Sequence, residues 1–162
     1  MPRTATVDKR AQRWHDASIH EAGHAVIGTL SDLPIRELWL RRTLFGAVKG
    51  RTNVVAGGGS IRGTADQDLT FTMGGPEAHA IWVVHRSGRS LNRARRYANS
   101  RSAGDVATIA YRLQDESLEA THATALAWVH DSLLERWDHV EQVAAALRVD
   151  GRLNARQLAQ LL

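Results

Sequence analysis

The 162-residue sequence contains no cysteine. That absence excludes disulfides, iron–sulfur clusters and thiolate zinc sites, so any metal held by the chain must be bound through His, Asp or Glu. It is also compatible with a reducing compartment. No run of 18 or so apolar residues occurs, and no charged-then-apolar leader opens the chain, so a cytoplasmic location and no membrane partner are expected. Lysine is scarce, with 2 against 19 arginines, and the formal net charge of +4 is mild for a nucleic-acid binder, so nucleic acid is not an expected partner. A nucleotide-binding loop is missing too. The glycines of "AGGGS" are not followed by Gly-Lys-Ser/Thr at the start of a helix, so no phosphate cradle is expected there. What is present is a 43% hydrophobic chain of a length suited to one domain with a real core, taken as residues 1–162.

The pattern along the chain is helical, briefly β, then helical again. Thr6 or Asp8 is the expected cap of a first helix running to about Leu33, which Pro34 ends. Ile35 to Arg42 alternates with Leu38 and Leu40 on one side and reads as a strand, and the valine-rich "LFGAVKGRTNVVA" offers a second. "AGGGSIRGTADQD" reads as a mobile loop. From Asp66 the pattern turns helical, with Pro76 expected to kink that helix or start a new one. "HRSGRSLNRARRYANSR", residues 85–101, carries six arginines and no acid, and it reads as a solvated connection more readily than as a nucleic-acid grip. Further helices follow in "SAGDVATIAYRLQDE", "ESLEATHATALAWVHDSLLERW" and "DHVEQVAAALRVD", and Asn154 is the expected cap of the last one. Trp14, Trp39, Trp82, Trp128 and Trp137 fall at apolar positions and are expected in the core. His122, His130 and His139 are expected to be ordinary surface or capped histidines. The fold class is α+β, mostly α-helical, with a small β-sheet and a C-terminal helical bundle.

The chemistry concentrates in "SIHEAGHAVIG", residues 18–28. On a helix, residues i and i+4 share a face, so His20 and His24 aim their imidazoles at one point, as a zinc site requires. Glu21 is rotated one residue onward. Its carboxylate then lies beside the metal, placed to take a proton from the attacking water and pass it to a leaving amine. Chance alone yields H-E-x-x-H somewhere in such a chain roughly 2% of the time, so the context has to decide. A third ligand is needed. The extended form of the motif demands glycine at position 27 and histidine at position 30, where Ile27 and Leu30 stand. Asp32 and Glu37 lie too near the motif helix to fold back onto it. The spacing therefore leaves Asp66, Asp68, Glu77, His79, His85 and Asp105 open as candidates.

"HEAGHAV", "MGGPEAHAI" and "SAGDVATIA", in that order and spacing, resemble the peptidase domain of the FtsH-type ATP-dependent zinc metalloproteases. The final stretch "ALAWVHDSLLERWDHVEQVAAALRVDGRLNARQLAQLL" resembles that domain's closing helices, so the likeness spans most of the chain. It implies a metallopeptidase helix core, zinc held by His20, His24 and Asp105, and Glu21 as the base. Gly74-Gly75 matches the family's Gly-Gly helix. That helix usually continues with arginine and a pair of glutamates, where this chain has Pro76, His79 and Ala80. The resemblance also implies an ATPase and an anchor, neither of which the sequence contains. The expectation is an ATP-independent zinc endopeptidase cutting flexible or unfolded polypeptide, unless an ATPase or unfoldase is supplied in trans. The β segment at residues 44–55 is a candidate for binding that polypeptide as an added strand. Two alternatives stay open: a non-catalytic, zinc-stabilised interaction module, and a regulatory protease cutting one specific partner.

Overall fold

The structure, a computed structural model, describes residues 3–57, 60–61 and 64–162. The long first helix, α1 (Arg3–Leu30), begins before the expected cap, so Thr6 and Asp8 lie within its backbone. It also ends three residues earlier than Leu33, because the chain closes it with a Schellman motif. Asp32 takes a left-handed φ of 56°, its N–H donates to the Thr29 carbonyl at 3.1 Å, and the Leu33 N–H donates to that of Gly28 at 2.9 Å. Leu33 then turns inward and is buried.

Pro34 leads into β1 (Ile35–Arg42), whose bounds are those the alternation predicts. β2 (Val48–Val54) returns antiparallel to it. Where a mobile loop was expected, β3 (Ala56–Gly57) and β4 (Ser60–Ile61) form a two-residue ladder. Gly58, Gly59, Arg62 and Gly63 of that stretch lie outside the described residues. α2 (Ala65–Ser87) opens on a capping box, with Thr64 Oγ1 accepting from the Gln67 N–H and the Gln67 side chain accepting from the Thr64 N–H. It runs on through Pro76 without stopping, because the packing around the buried proline outweighs the one backbone bond that proline lacks.

The arginine-rich stretch is not a connection but a helix, α3 (Leu91–Asn99). Its inward positions are Ala94 and Ala98, fully buried but too small to signal a core face. α4 (Ala103–Arg112), α5 (Glu116–Glu135) and α6 (Trp137–Asp150) follow, then β5 (Arg152–Asn154) and α7 (Ala155–Ala159). β5 pairs on the far side of β1, giving the sheet order β2-β1-β5. Asn154 and Gln157 form the expected cap of α7 as a second capping box. The architecture is α+β and mostly helical, and among the described residues no helix is long and apolar enough to cross a membrane.

α1 and α2 form the most extensive contact in the molecule. Their backbones meet at glycine: a Cβ on Gly23 would overlap Ala78 Cβ and the Gly74 carbonyl, and one on Gly74 would stand 2.8 Å from the Gly23 carbonyl. Val129 and Leu133 of α5, with Val140, Val143 and Leu147 of α6, complete the core against them. Trp14, Trp82 and Trp137 pack at its margin, whereas Trp39 departs from expectation, half-buried on the sheet face opposite Leu38 and Leu40. Trp128 departs from expectation and is 42% exposed, since Val129 beside it takes the inward position of α5.

Candidate metal centre and its cleft

His20 and His24, one turn apart on α1, bring their Nε2 atoms to 3.1 Å. Asp105 arrives from the first turn of α4, with Oδ2 3.0 Å from His20 Nε2 and Oδ1 3.6 Å from His24 Nε2. Among the described residues this is the one group of three or more His, Asp or Glu close enough to share an ion. Tetrahedral ligands at about 2.0–2.1 Å from zinc stand about 3.3–3.4 Å from one another, a spacing that these separations bracket. A carbonyl oxygen only accepts, so the 2.8 Å contact from His24 Nδ1 to the Phe71 carbonyl puts the ring proton on Nδ1. His24 Nε2 is thereby left with its lone pair toward His20 and Asp105.

The electrostatics favour a positive charge at that point. Burial lowers the pKa of His24, but the hydrogen bond and charge of Asp105, the charge of Glu21 and the Phe71 carbonyl raise it above the ordinary histidine value. Burial raises that of Asp105, yet the bonds and charges of His20 and His24 hold it well below the usual carboxylate range. A proton meets this demand in the metal-free protein, and a divalent cation meets it more fully. The space matches as well. Gly75 of α2 lies directly against the cluster, where an added Cβ would stand 2.7 Å from His20 Nε2 and closer still to His24 Nε2. The donor set, its spacing and this cradle fit a zinc ion.

Glu21 is buried beside the cluster. Thr52 of β2 donates from Oγ1 to Glu21 Oε2 at 2.8 Å and lies 3.1 Å from the Glu21 carbonyl. The β2 backbone comes so close that a Cβ on Gly50 would stand 2.5 Å from Glu21 Oε1. Cluster and carboxylate open onto a cleft of about 780 Å³ walled by α1, β2 and residues 100–105. Asp105 makes no described bond to an N–H of its own helix, and Ser102 takes the N-cap position of α4.

None of the other candidate ligands joins the cluster. Asp68 accepts from Arg112 Nε at 2.6 Å. Glu77, buried, accepts from Arg95 Nε and Nη2 at 2.8 and 2.7 Å, and from His130 Nδ1 at 2.6 Å. His130 is therefore half-buried and structural, not an ordinary surface histidine as expected. His79 Nε2 lies 3.7 Å from Asp16 Oδ2, and it is the one buried side-chain N or O without a hydrogen-bond partner among the described residues. Asp66 is exposed, and His85 meets Trp137 edge-on with centroids 5.3 Å apart. Sequence reasoning missed Thr52, Gly50 and the Phe71 carbonyl, none of which belongs to a motif. The chain matches no family model and no curated protein.

Proposed function

We propose that the chain is a zinc-dependent endopeptidase of the FtsH type, hydrolysing peptide bonds in flexible or unfolded polypeptide. The observation that carries this reading is the convergence of His20, His24 and Asp105 on one point, with the Glu21 carboxylate buried beside them at the wall of an open cleft. Structural zinc sites are closed by four protein ligands, whereas three ligands leave a position for reaction. Zinc held by these three residues supplies a Lewis acid that polarises water and the scissile carbonyl.

The protein's own groups do the rest. Glu21 accepts the proton of the attacking water and returns it to the leaving amine. Thr52 holds one Glu21 oxygen and leaves the other available. β2 is the outer strand of its sheet, and Ala47, Val48, Gly50, Arg51 and Thr52 line the cleft. A polypeptide laid along β2 as an added strand is bound through its main chain, which suits broad specificity. The same reading places the reaction in the cytoplasm, a setting compatible with a chain that has no cysteine to oxidise.

The test combines metal analysis of the purified protein with cleavage of casein, with and without chelator. The expected result is about one zinc per chain, casein cleavage abolished by chelation, and restoration by added zinc. A zinc-stabilised interaction module would take up metal and melt higher with it, yet leave casein intact. Cleavage that survives chelation, or no uptake and no melting shift, overturns the zinc reading itself.

A further inference from the structure

The turn between β1 and β2 presents two apolar side chains to solvent, Leu44 at 101% exposure and Phe45 at 98%. The turn itself does not call for them. The Gly46 N–H donates to the Thr43 carbonyl at 2.9 Å, the Thr43 N–H donates to that of Ala47 at 2.8 Å, and Gly46 takes a left-handed φ of 76°. This is a three-residue hairpin loop of the kind built on a type I turn followed by a left-handed residue. Leu44 and Phe45 occupy its two central positions, where a type I turn accepts most residues and asks for no apolar ones. Thr43 Oγ1 also accepts from the Ala47 N–H at 3.1 Å, so the pair is held out on a closed turn.

Below this tip the outward face of the hairpin is cationic. The register sets Arg41 opposite Lys49 and Trp39 opposite Arg51, and alternation puts all four on the face away from buried Leu38 and Leu40. Arg41, Lys49 and Arg51 are exposed, and the Arg41 guanidinium lies 4.9 Å from the centre of the Trp39 ring. Like charges directly opposite one another weaken an antiparallel pair. None of these cations pairs with an acid among the described residues, and the sequence has no acid between Glu37 and Asp66. Arg10 and Arg42 flank the tip itself.

We propose that this hairpin docks on an anionic lipid surface, with Leu44 and Phe45 entering the acyl boundary and Arg41 and Lys49 meeting the headgroups. Stable surface binding takes two signals, and an apolar insertion with a basic patch supplies both. Docking of this kind needs no membrane-spanning helix, so it departs from the expectation of no membrane partner without conflicting with the helices observed. The inference stands on its own, whatever chemistry the cleft performs.

The experiment is flotation of the full chain with vesicles of phosphatidylcholine alone and of phosphatidylcholine mixed with phosphatidylserine. The chain is expected to float with the mixed vesicles only and to be partly released by salt. Leu44→Ser with Phe45→Ser, and separately Arg41→Gln with Lys49→Gln, should each weaken binding by about tenfold or more. Circular dichroism and melting should be unchanged, since the replaced side chains are exposed. Failure to bind the mixed vesicles, equal binding to phosphatidylcholine alone, or both double variants binding like the parent overturns the proposal. So does capture of a single-stranded oligonucleotide that the mixed vesicles fail to displace.

Discussion

Gly75→Ala separates the metal site from the fold. Gly75 sits inside α2 with ordinary helical backbone, so alanine gains up to about 1 kcal/mol of helix propensity, which offsets part of the cost of displacing the two imidazoles in the metal-free protein. The added methyl, however, would stand 2.7 Å from His20 Nε2 and nearer to His24 Nε2. Ordinary carbon contacts need about 3.5 Å, so the imidazoles must retreat by roughly 1 Å, whereas a metal site tolerates about 0.2 Å. His24 cannot swing freely, because its Nδ1 is bonded to the Phe71 carbonyl. Zinc affinity should therefore fall by about 100-fold or more. The assay is thermal melting with and without zinc. At a hundredfold excess over Kd the parent should gain about 2.7 kcal/mol, which for a chain of this size is about 5–10 °C. The variant should lose most of that gain, and the loss of the zinc-dependent shift should exceed any fall in its metal-free melting point. Gly74→Ala is the control: its methyl meets the Gly23 carbonyl at 2.8 Å and Ile27 Cβ at 3.0 Å, so it pries α1 from α2 and costs about 1–3 kcal/mol with or without metal. If Gly75→Ala keeps the full zinc-dependent shift, the imidazoles do not converge over Gly75 and the site has been drawn wrongly.

Further outcomes follow from the same geometry. Glu21→Gln keeps the shape but cannot accept a proton, so casein turnover should drop by about 100-fold or more at unchanged zinc content; Thr52→Val should lower turnover about tenfold and Thr52→Ser restore it, and a Val variant as active as the parent reduces Thr52 to packing. Asp105→Asn should weaken zinc binding by about 100-fold while α4 stays folded, and undiminished affinity measured by competition with a chelator removes Asp105 from the ligand set. In the metal-free protein, the raised pKa of His24 adds stability that is complete below 6.5 and lost as pH rises through the folded value. The lowered pKa of Asp105 adds stability present above 3.8 and lost as pH falls through its folded value. The metal-free melting point should thus be highest at mildly acid pH and decline into the alkaline range, while the zinc-dependent shift grows over that range because zinc must displace a proton; parallel curves with and without zinc would refute the linkage.

The strand Ile35–Arg42 was legible to the residue because alternation is a local signal, and so was the Asn154 cap of α7. α3 was not, because its buried positions are two alanines among arginines, and so charged a stretch reads as solvated even though its apolar and charged residues do segregate to opposite faces. The end of α1 was misplaced because Asp32, not glycine, takes the left-handed position that closes the helix. In the site, the spacing of His20, Glu21 and His24 is readable because it is the spacing of a single helix. The partners of these residues are not. Phe71 is 47 residues from His24, Thr52 is 31 from Glu21, and both contacts exist only once α2 and β2 have docked on α1. Asp105 was singled out by resemblance alone, since nothing in the sequence distinguishes it from Asp66 or Asp68.

The residues that follow Gly74-Gly75 in α2 bear on how this site is supported. In α2, Pro76 and Ala80 are buried, and His79 faces Asp16 instead of the candidate metal cluster. The orienting partner of His24 is a main-chain carbonyl in the first half of α2, which persists whatever side chains the helix carries. The charged anchoring of α2 lies in Glu77, held by Arg95 of α3 and His130 of α5, and in Asp68, held by Arg112 of α4. These pairs hold α2 against three other helices, and α4 is the one that delivers Asp105. Asp68 and Arg112 therefore act on the cluster at a distance, fixing the helix that carries the third candidate ligand while α1 fixes the first two. An arrangement held in this way makes the site as rigid as the packing of α1, α2 and α4, and no more rigid than that. His20, more exposed than His24 and engaged through Asp105, is the member free to adjust when an ion enters.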